Sequence, residues 1–203
     1  MHISDGVLGA PTLVIGGVVA LVGVGLGLAA TEPRDIPKMS MTAAVFFLAS
    51  FVHVPVGPVH MHLMLIGLVG LLLGRAVLPA VLVALTFQAI LFGYGGWTTL
   101  GVNTCVIGLP GIAVYYLLRR WVASDNRTTA LAAAFAAGVV GVVAAAALLM
   151  LVLITTGQAF VATAKVVFLA HLPLAGAEGV LTLFLVAFLR KVRPQMLAGA
   201  AAS

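Results

Sequence analysis

Apolar positions run along this chain in long, unbroken stretches with few polar residues between them. Residues 8–30 form the first, rich in glycine, and it ends at the polar, Pro-broken linker Thr31-Glu32-Pro33-Arg34-Asp35 that continues to about Ser40. A second apolar stretch covers residues 41–54. The breaker Pro55-Val56-Gly57-Pro58 comes next, and a third stretch runs over 59–74. Residues 76–93 make a fourth, the loop Gly93-Tyr94-Gly95-Gly96-Trp97 intervenes, and 98–118 make a fifth, interrupted by Gly108, Pro110 and Gly111. The sixth spans 128–155 and the seventh 158–189, where Pro173 and Gly176 predict a kink.

Composition agrees with that pattern. The 203 residues are 63% hydrophobic and 7% charged, and the mean hydropathy is +1.26, far from the roughly 25% charged residues of a soluble domain. A bilayer core about 30 Å thick takes roughly 20 residues per helix, so the chain has room for about seven spans and little else. The expectation is an all-α polytopic membrane helix bundle, one transmembrane domain over residues 1–203, in a cell (inner or plasma) membrane.

The net charge of +5 does not indicate nucleic acid, because the basic residues stand mostly singly between apolar stretches. With the N-terminus outside, Arg34, Lys38, Arg75, Arg119, Arg120, Arg127, Arg190, Lys191 and Arg193 all fall on the cytoplasmic side and only Lys165 does not. The expected orientation is therefore N-terminus out and C-terminus in. Residues 1–30 carry Asp5 and no Lys or Arg, so a cleaved signal peptide is not expected.

Cys105 is the sole cysteine, which leaves nitrogen and oxygen as metal donors. Of the five histidines, His2, His53, His60 and His62 all fall at or near the outer face in this topology, and His171 lies inside the seventh stretch. An imidazole at membrane depth is a functional hypothesis by default. His2 sits one residue from the chain start, so the Met1 amine, the His2 backbone nitrogen and His2 Nδ1 can close fused chelate rings with three nitrogens in one plane. A fourth nitrogen completes a square, the geometry of Ni(II) or Cu(II), with Co(II) a neighbour in the affinity series. The segment Val59-His60-Met61-His62 is the expected source of that nitrogen. On a helix His60 and His62 point about 200° apart, so either one ligates or the segment is extended.

Other polar residues have two readings. Asp5 suits a cap on the first helix, which we favour, or an acceptor that orients the N-terminal segment. Asn103, Gln88 and Thr99 suit the pocket lining or hydrogen bonds between helices, and Asn103 is placed in the pocket. His171 and Glu178 are two helical turns apart on one face and suit a buried structural network. The small-residue faces Gly16, Ala20, Gly23, Gly27 and Ala136, Gly138, Gly141 suit close helix contacts.

The start Met1-His2-Ile3-Ser4-Asp5-Gly6, the motif Val54-Pro55-Val56-Gly57-Pro58, then His62-Leu63, Gly67 and Gly74, the stretch 91–103 ending in Asn103, and His171-Leu172-Pro173 with Glu178-Gly179 together resemble the CbiM/NikM family. Members are substrate-binding subunits of energy-coupling-factor cobalt and nickel importers, and the resemblance covers nearly the whole chain. It implies a square-planar site for Co2+ or Ni2+ made by the Met1 amine, the His2 amide nitrogen, the His2 imidazole and His62, with residues 1–7 as the metal-binding segment. His60 departs from the family pattern and is expected in an accessory role, with Asp5 and Asn103. The resemblance also implies a transmembrane coupling subunit, ATP-binding-cassette ATPases and a small accessory membrane protein as partners. The chain has no Gly-x-x-x-x-Gly-Lys-Ser/Thr phosphate loop and no His-Glu-x-x-His motif, so it is expected to be no enzyme and to need no cofactor. The competing expectation is a proton-coupled transporter that works without an ATPase and relays charge through His171, Glu178 and Lys165.

Overall fold

The computed structural model describes residues 2–56 and 59–197, and within the short ribbon at 53–61 it describes the backbone alone. Seven α-helices succeed one another along the chain: α1 Ala10–Ala29, α2 Ile36–Ala49, α3 Ile66–Leu73, α4 Val77–Phe92, α5 Leu100–Val122, α6 Arg127–Thr156 and α7 Val161–Val192. Five helical runs among the described residues are long and apolar enough to cross a membrane. One of the five is Ile66–Phe92, in which α3 and α4 are joined, so three of the seven helices are short by themselves. The 14-residue α2 is about 21 Å long at 1.5 Å per residue, the 8-residue α3 about 12 Å and the 16-residue α4 about 24 Å.

The third stretch departs from expectation most. Its first residues are not helical: β1 His53–Val56 pairs antiparallel with β2 Val59–His62, with His53 opposite His62 and Pro55 opposite His60. Pro55 has no N–H to give a ladder, which suits a two-stranded ribbon and not a sheet interior. The fold is therefore not purely α.

Helix α3 ends at Gly74, whose φ of 57° and ψ of −115° turn the chain back. A Cβ there would lie 2.8 Å from the Tyr115 ring, so the turn requires glycine both for its conformation and for its closeness to α5. After the turn α4 climbs alongside α5, with Val77 against Gly111 and Leu78 against Gly108. Helices α5 and α7 run unbroken through Pro110 and Pro173; the expected interruption of the fifth stretch does not occur.

Burial orders the bundle: Ile66–Phe92 is the most enclosed run, with 72% of its apolar window buried against 17% for α1. Glycines let α3 reach the centre. A Cβ on Gly67 would stand 2.3 Å from the Ala137 carbonyl oxygen, and one on Gly138 would stand 2.5 Å from that of Glu178. On α1, Gly16 meets Val102 and Gly23 meets Leu78, so the small-residue faces pack against the chain's own helices.

The two poles differ in chemistry. At one, a cavity of about 310 Å³ is lined by Arg34, Lys38, Arg75 and Tyr115 among others. There Lys38 Nζ donates to the Met196 carbonyl at 2.9 Å, and Arg190 donates to the Val122 and Ser124 carbonyls at 2.6 and 2.9 Å. The other pole gathers the N-terminal segment, the ribbon and the loop between α4 and α5.

Candidate metal centre

The N-terminal segment enters this second pole extended, ahead of α1, and three anchors hold it. The amide of Asn103, 3% exposed on the first turn of α5, brackets Ile3: its Oδ1 accepts from Ile3 N–H at 3.0 Å and its Nδ2 donates to Ile3 O at 3.0 Å. The Thr99 hydroxyl adds a 2.7 Å bond to the same carbonyl. Two residues on, the Asp5 carboxylate accepts from the backbone N–H of Trp97 at 3.1 Å and of Thr98 at 3.0 Å, and from the Thr98 hydroxyl. Helix α1 begins at Ala10 with Gly9 as its N-cap and no side-chain cap bond. The expected cap by Asp5 is thus replaced by a clamp on the glycine-rich loop, where the chain turns sharply enough to present consecutive N–H groups.

The same loop explains its glycines. Gly95 has φ of 78°, and a Cβ on it would approach Asn103 Nδ2 at 3.1 Å and His2 Cβ at 3.6 Å. A Cβ on Gly96 would lie 2.1 Å from the Asp5 carboxyl carbon. The loop can close over the N-terminal segment only without those side chains.

These anchors present His2 to His62. Their rings stack at 5.0 Å between centroids and 21° between planes, and Tyr94 also stacks on His2 at 5.9 Å and 23°. The Nε2 of His2 is buried with no hydrogen-bond partner among the described residues. Burial foremost, then the positive chain terminus and His62, push the His2 imidazole down to about 2, so it stays neutral and able to ligate at any physiological pH. His62 Nδ1 lies 3.0 Å from the Leu63 carbonyl oxygen. A carbonyl only accepts, so Nδ1 carries the proton and Nε2 keeps the lone pair that a metal needs.

His62 is the last residue of β2, and its place depends on the turn that joins the ribbon to α3. That helix starts from Leu65, whose φ of 49° is left-handed, at a cost of about 1–2 kcal/mol for an L residue. Glu178, fully buried on α7, holds the turn: Oε1 accepts from Met64 N–H, and both oxygens accept from Leu65 N–H at 2.9 Å. A carboxylate here satisfies helix-start N–H groups and faces the positive end of the α3 dipole.

The expected network of His171 with Glu178 is accordingly not formed. His171 Nδ1 bonds the Val167 carbonyl at 2.7 Å within its own helix, and Lys165 is exposed. No hydrogen bond or ion pair among the described residues joins His171, Glu178 and Lys165. Gln88 is fully buried in α4, and its amide makes no hydrogen bond with the described residues.

Met1, and the side chains of His53 and His60, lie outside the described residues. The backbone of residues 59–62 is an extended strand and not a helix. Sequence reasoning missed Tyr94 and Thr98, and it misread Glu178. The glycine-rich run between two apolar stretches was the available signal for the first two; nothing in sequence signals the third.

A family model described as the cobalt uptake substrate-specific transmembrane region, CbiM, matches residues 2–196. A Haemophilus influenzae protein whose name assigns it provisionally to metal transport is 47% identical over 119 residues, which span 59% of this chain and 58% of that one. The cobalt transport protein CbiM of Clostridium tetani is 29% identical over 204 residues, covering 94% of this chain and 85% of the relative. A crystal structure of a truncated transition metal transporter superposes with a TM-score of 0.78 at 24% identity, over 94% of this chain and 99% of that one; at that identity the likeness is one of fold. With five apolar runs long enough to span, the chain is a multi-pass membrane protein.

Proposed function

Because this chain belongs to the CbiM family of cobalt uptake transmembrane regions, we propose that it is the substrate-binding membrane subunit of an energy-coupling-factor importer for Co2+ or Ni2+. The ion is held as substrate in a square plane of nitrogens: the Met1 amine, the His2 amide, His2 Nδ1 and His62 Nε2. The observation that carries this reading is the stacked pair His2 and His62, His62 buried at the end of β2 and His2 half-buried on the extended N-terminal segment, each on a stretch pinned by hydrogen bonds. Asn103 and Asp5 fix the N-terminal arm, and Glu178 fixes the turn after His62. His60 takes an accessory part. The residues act by geometry: a preordered plane favours ions that accept four in-plane nitrogens over tetrahedral zinc.

On this reading the ribbon pole faces the outside and the basic pole the cytoplasm, in keeping with the placement of nine of the ten Lys and Arg residues. The short helix α3 is buried among its neighbours, whereas α2 turns Met41, Val45 and Leu48 outward to lipid; with both, the chain makes seven crossings. The chain carries no phosphate loop, so ATP hydrolysis falls to separate ATPases, joined through a transmembrane coupling subunit and aided by a small accessory membrane protein.

The test is calorimetry of Ni(II) and Co(II) on detergent-purified protein with a native N-terminus and a C-terminal tag. One added N-terminal residue, or His62→Ala, is expected to abolish tight binding, whereas His60→Ala retains it. Unchanged binding in the extended variant overturns the four-nitrogen site, and metal-free, pH-driven flux in vesicles favours a proton-coupled transporter.

A further inference from the structure

A second cavity opens at the basic pole, away from the metal centre. It measures about 480 Å³, and its described lining is Arg127 and Leu131 of α6 with Ala187, Arg190 and Lys191 of α7. Arg127 begins α6, and Arg190 and Lys191 lie in the last turn of α7. The cavity therefore sits between the ends of two apolar runs, each long enough to cross a membrane. Three of these five residues are cations and none is an acid. At the same pole, the 310 Å³ cavity differs in kind, because Glu32 and Asp35 stand there among Arg34, Lys38 and Arg75.

The three charges are gathered without being neutralised. Arg190 is fixed by its bonds to the Val122 and Ser124 carbonyls, which use two of its five N–H groups. Arg127 and Lys191 are exposed, and among the described residues neither side chain makes a hydrogen bond or an ion pair. Asp125 is the acid nearest to Arg127 in sequence; it is exposed and does not belong to the described lining. Like charges held side by side repel, and an anion seated among them removes that repulsion.

The class of anion follows from the rest of the wall. Leu131 and Ala187 give the cavity an apolar floor, and on its membrane side the same helices expose Phe135, Val180 and Phe184. A small soluble anion gains nothing from that surface, whereas a lipid with its phosphate among the cations lays its acyl chains along it. Anionic headgroups attract Lys and Arg at the ends of crossing helices, and a guanidinium binds phosphate through paired N–H groups.

We propose that this cavity binds an anionic phospholipid, its phosphate among Arg127, Arg190 and Lys191 and its acyl chains along α6 and α7. The lipid ties the start of α6 to the end of α7 and, through Arg190, to the loop between α5 and α6. The site is independent of the metal-binding reading and needs only the membrane location.

The experiment is native mass spectrometry of the full chain in detergent with dioleoyl phosphatidylglycerol or dioleoyl phosphatidylcholine added, beside the Tm with each lipid. Arg127→Gln/Lys191→Gln removes two exposed charges and leaves the bonds of Arg190 in place; Arg34→Gln/Arg75→Gln, at the mixed-charge cavity, is the control. The native chain is expected to retain phosphatidylglycerol over phosphatidylcholine and to gain Tm from it. Binding of phosphatidylglycerol is expected to weaken roughly 30-fold in Arg127→Gln/Lys191→Gln and to persist in the control. Should the double variant lose helicity by circular dichroism, Lys191→Gln alone carries the test, with a loss of roughly fivefold. Equal retention of the two lipids, or equal loss in both double variants, overturns the site. Displacement of the lipid by glycerol 3-phosphate at comparable concentration overturns the lipid reading in favour of a soluble phosphate. Undiminished phosphatidylglycerol binding in Arg127→Gln/Lys191→Gln overturns it as well, and leaves the cations to an acidic partner chain.

Discussion

Asn103 holds Ile3 as a neighbouring strand would, taking its N–H and giving to its carbonyl, both at 3.0 Å. One side chain on α5 thereby sets the position of the residue next to His2. Asn103→Ala leaves the buried N–H of Ile3 unpaired, at about 1–3 kcal/mol, and loosens the arm that carries the proposed ligands. We expect metal affinity to fall by roughly 10–100-fold in calorimetry, with the helical content of the bundle intact by circular dichroism. Asn103→Asp, which keeps the acceptor and loses the donor, is expected to fall between the two.

The Asp5 clamp is pH-dependent. The Thr98 hydroxyl foremost, with the backbone N–H groups of Thr98, Thr99 and Trp97, outweighs desolvation and holds the Asp5 carboxyl below its usual range. A depressed folded pKa gives stability that is complete above the unfolded value and is lost as pH falls through the folded one. Hydrogen-exchange protection of the Trp97 and Thr98 amides is therefore expected to hold from neutral pH to about pH 5 and to decline only under more acid conditions. Asp5→Asn should show the weak protection at every pH.

Glu178 acts at a distance on His62. Glu178→Ala strips the Met64 and Leu65 N–H groups of their acceptor in a site closed to water, at about 1–3 kcal/mol. The left-handed turn at Leu65 then loses its support. The expected result is a lower Tm in detergent together with weaker Ni(II) binding. Glu178→Gln, which keeps one acceptor oxygen, should recover part of both.

Close helix approach is tested at Gly67. Its Cβ position lies 2.3 Å from a backbone oxygen of α6, where no rotamer change gives relief, so Gly67→Ala must push α3 away from α6. Overpacking of this kind typically costs about 1–3 kcal/mol. A reduced Tm is expected, along with weaker metal binding because α3 begins just after His62. Gly17→Ala, with open space at its Cβ, is the control and should leave both unchanged.

Much of the architecture was legible as sequence because lipid imposes length and polarity on each crossing helix. The runs that became α1, α4, α5, α6 and α7 could be placed by apolar length alone. The 59–74 stretch could not, since valine, methionine and leucine suit a strand as well as a helix, and the stretch divides between β2 and α3. Proline misled in the other direction at Pro110, which sits inside a continuous helix, as a packed bundle tolerates by bracing the lost hydrogen bond from neighbouring helices.

At the site, the sequence by itself determined which atoms are available. A histidine at position 2 is what the proposed terminal chelate is read from, and a chain with one cysteine cannot build a cysteine cluster for a metal. Only the tertiary structure decided what faces what. It brought His2 onto His62 across 60 residues of chain, turned Asp5 from a helix cap into a loop clamp, and sent Glu178 away from His171 to the start of α3. The physical reason is that a buried N–H or carbonyl must find a partner wherever packing leaves it, and where packing leaves it depends on every helix at once.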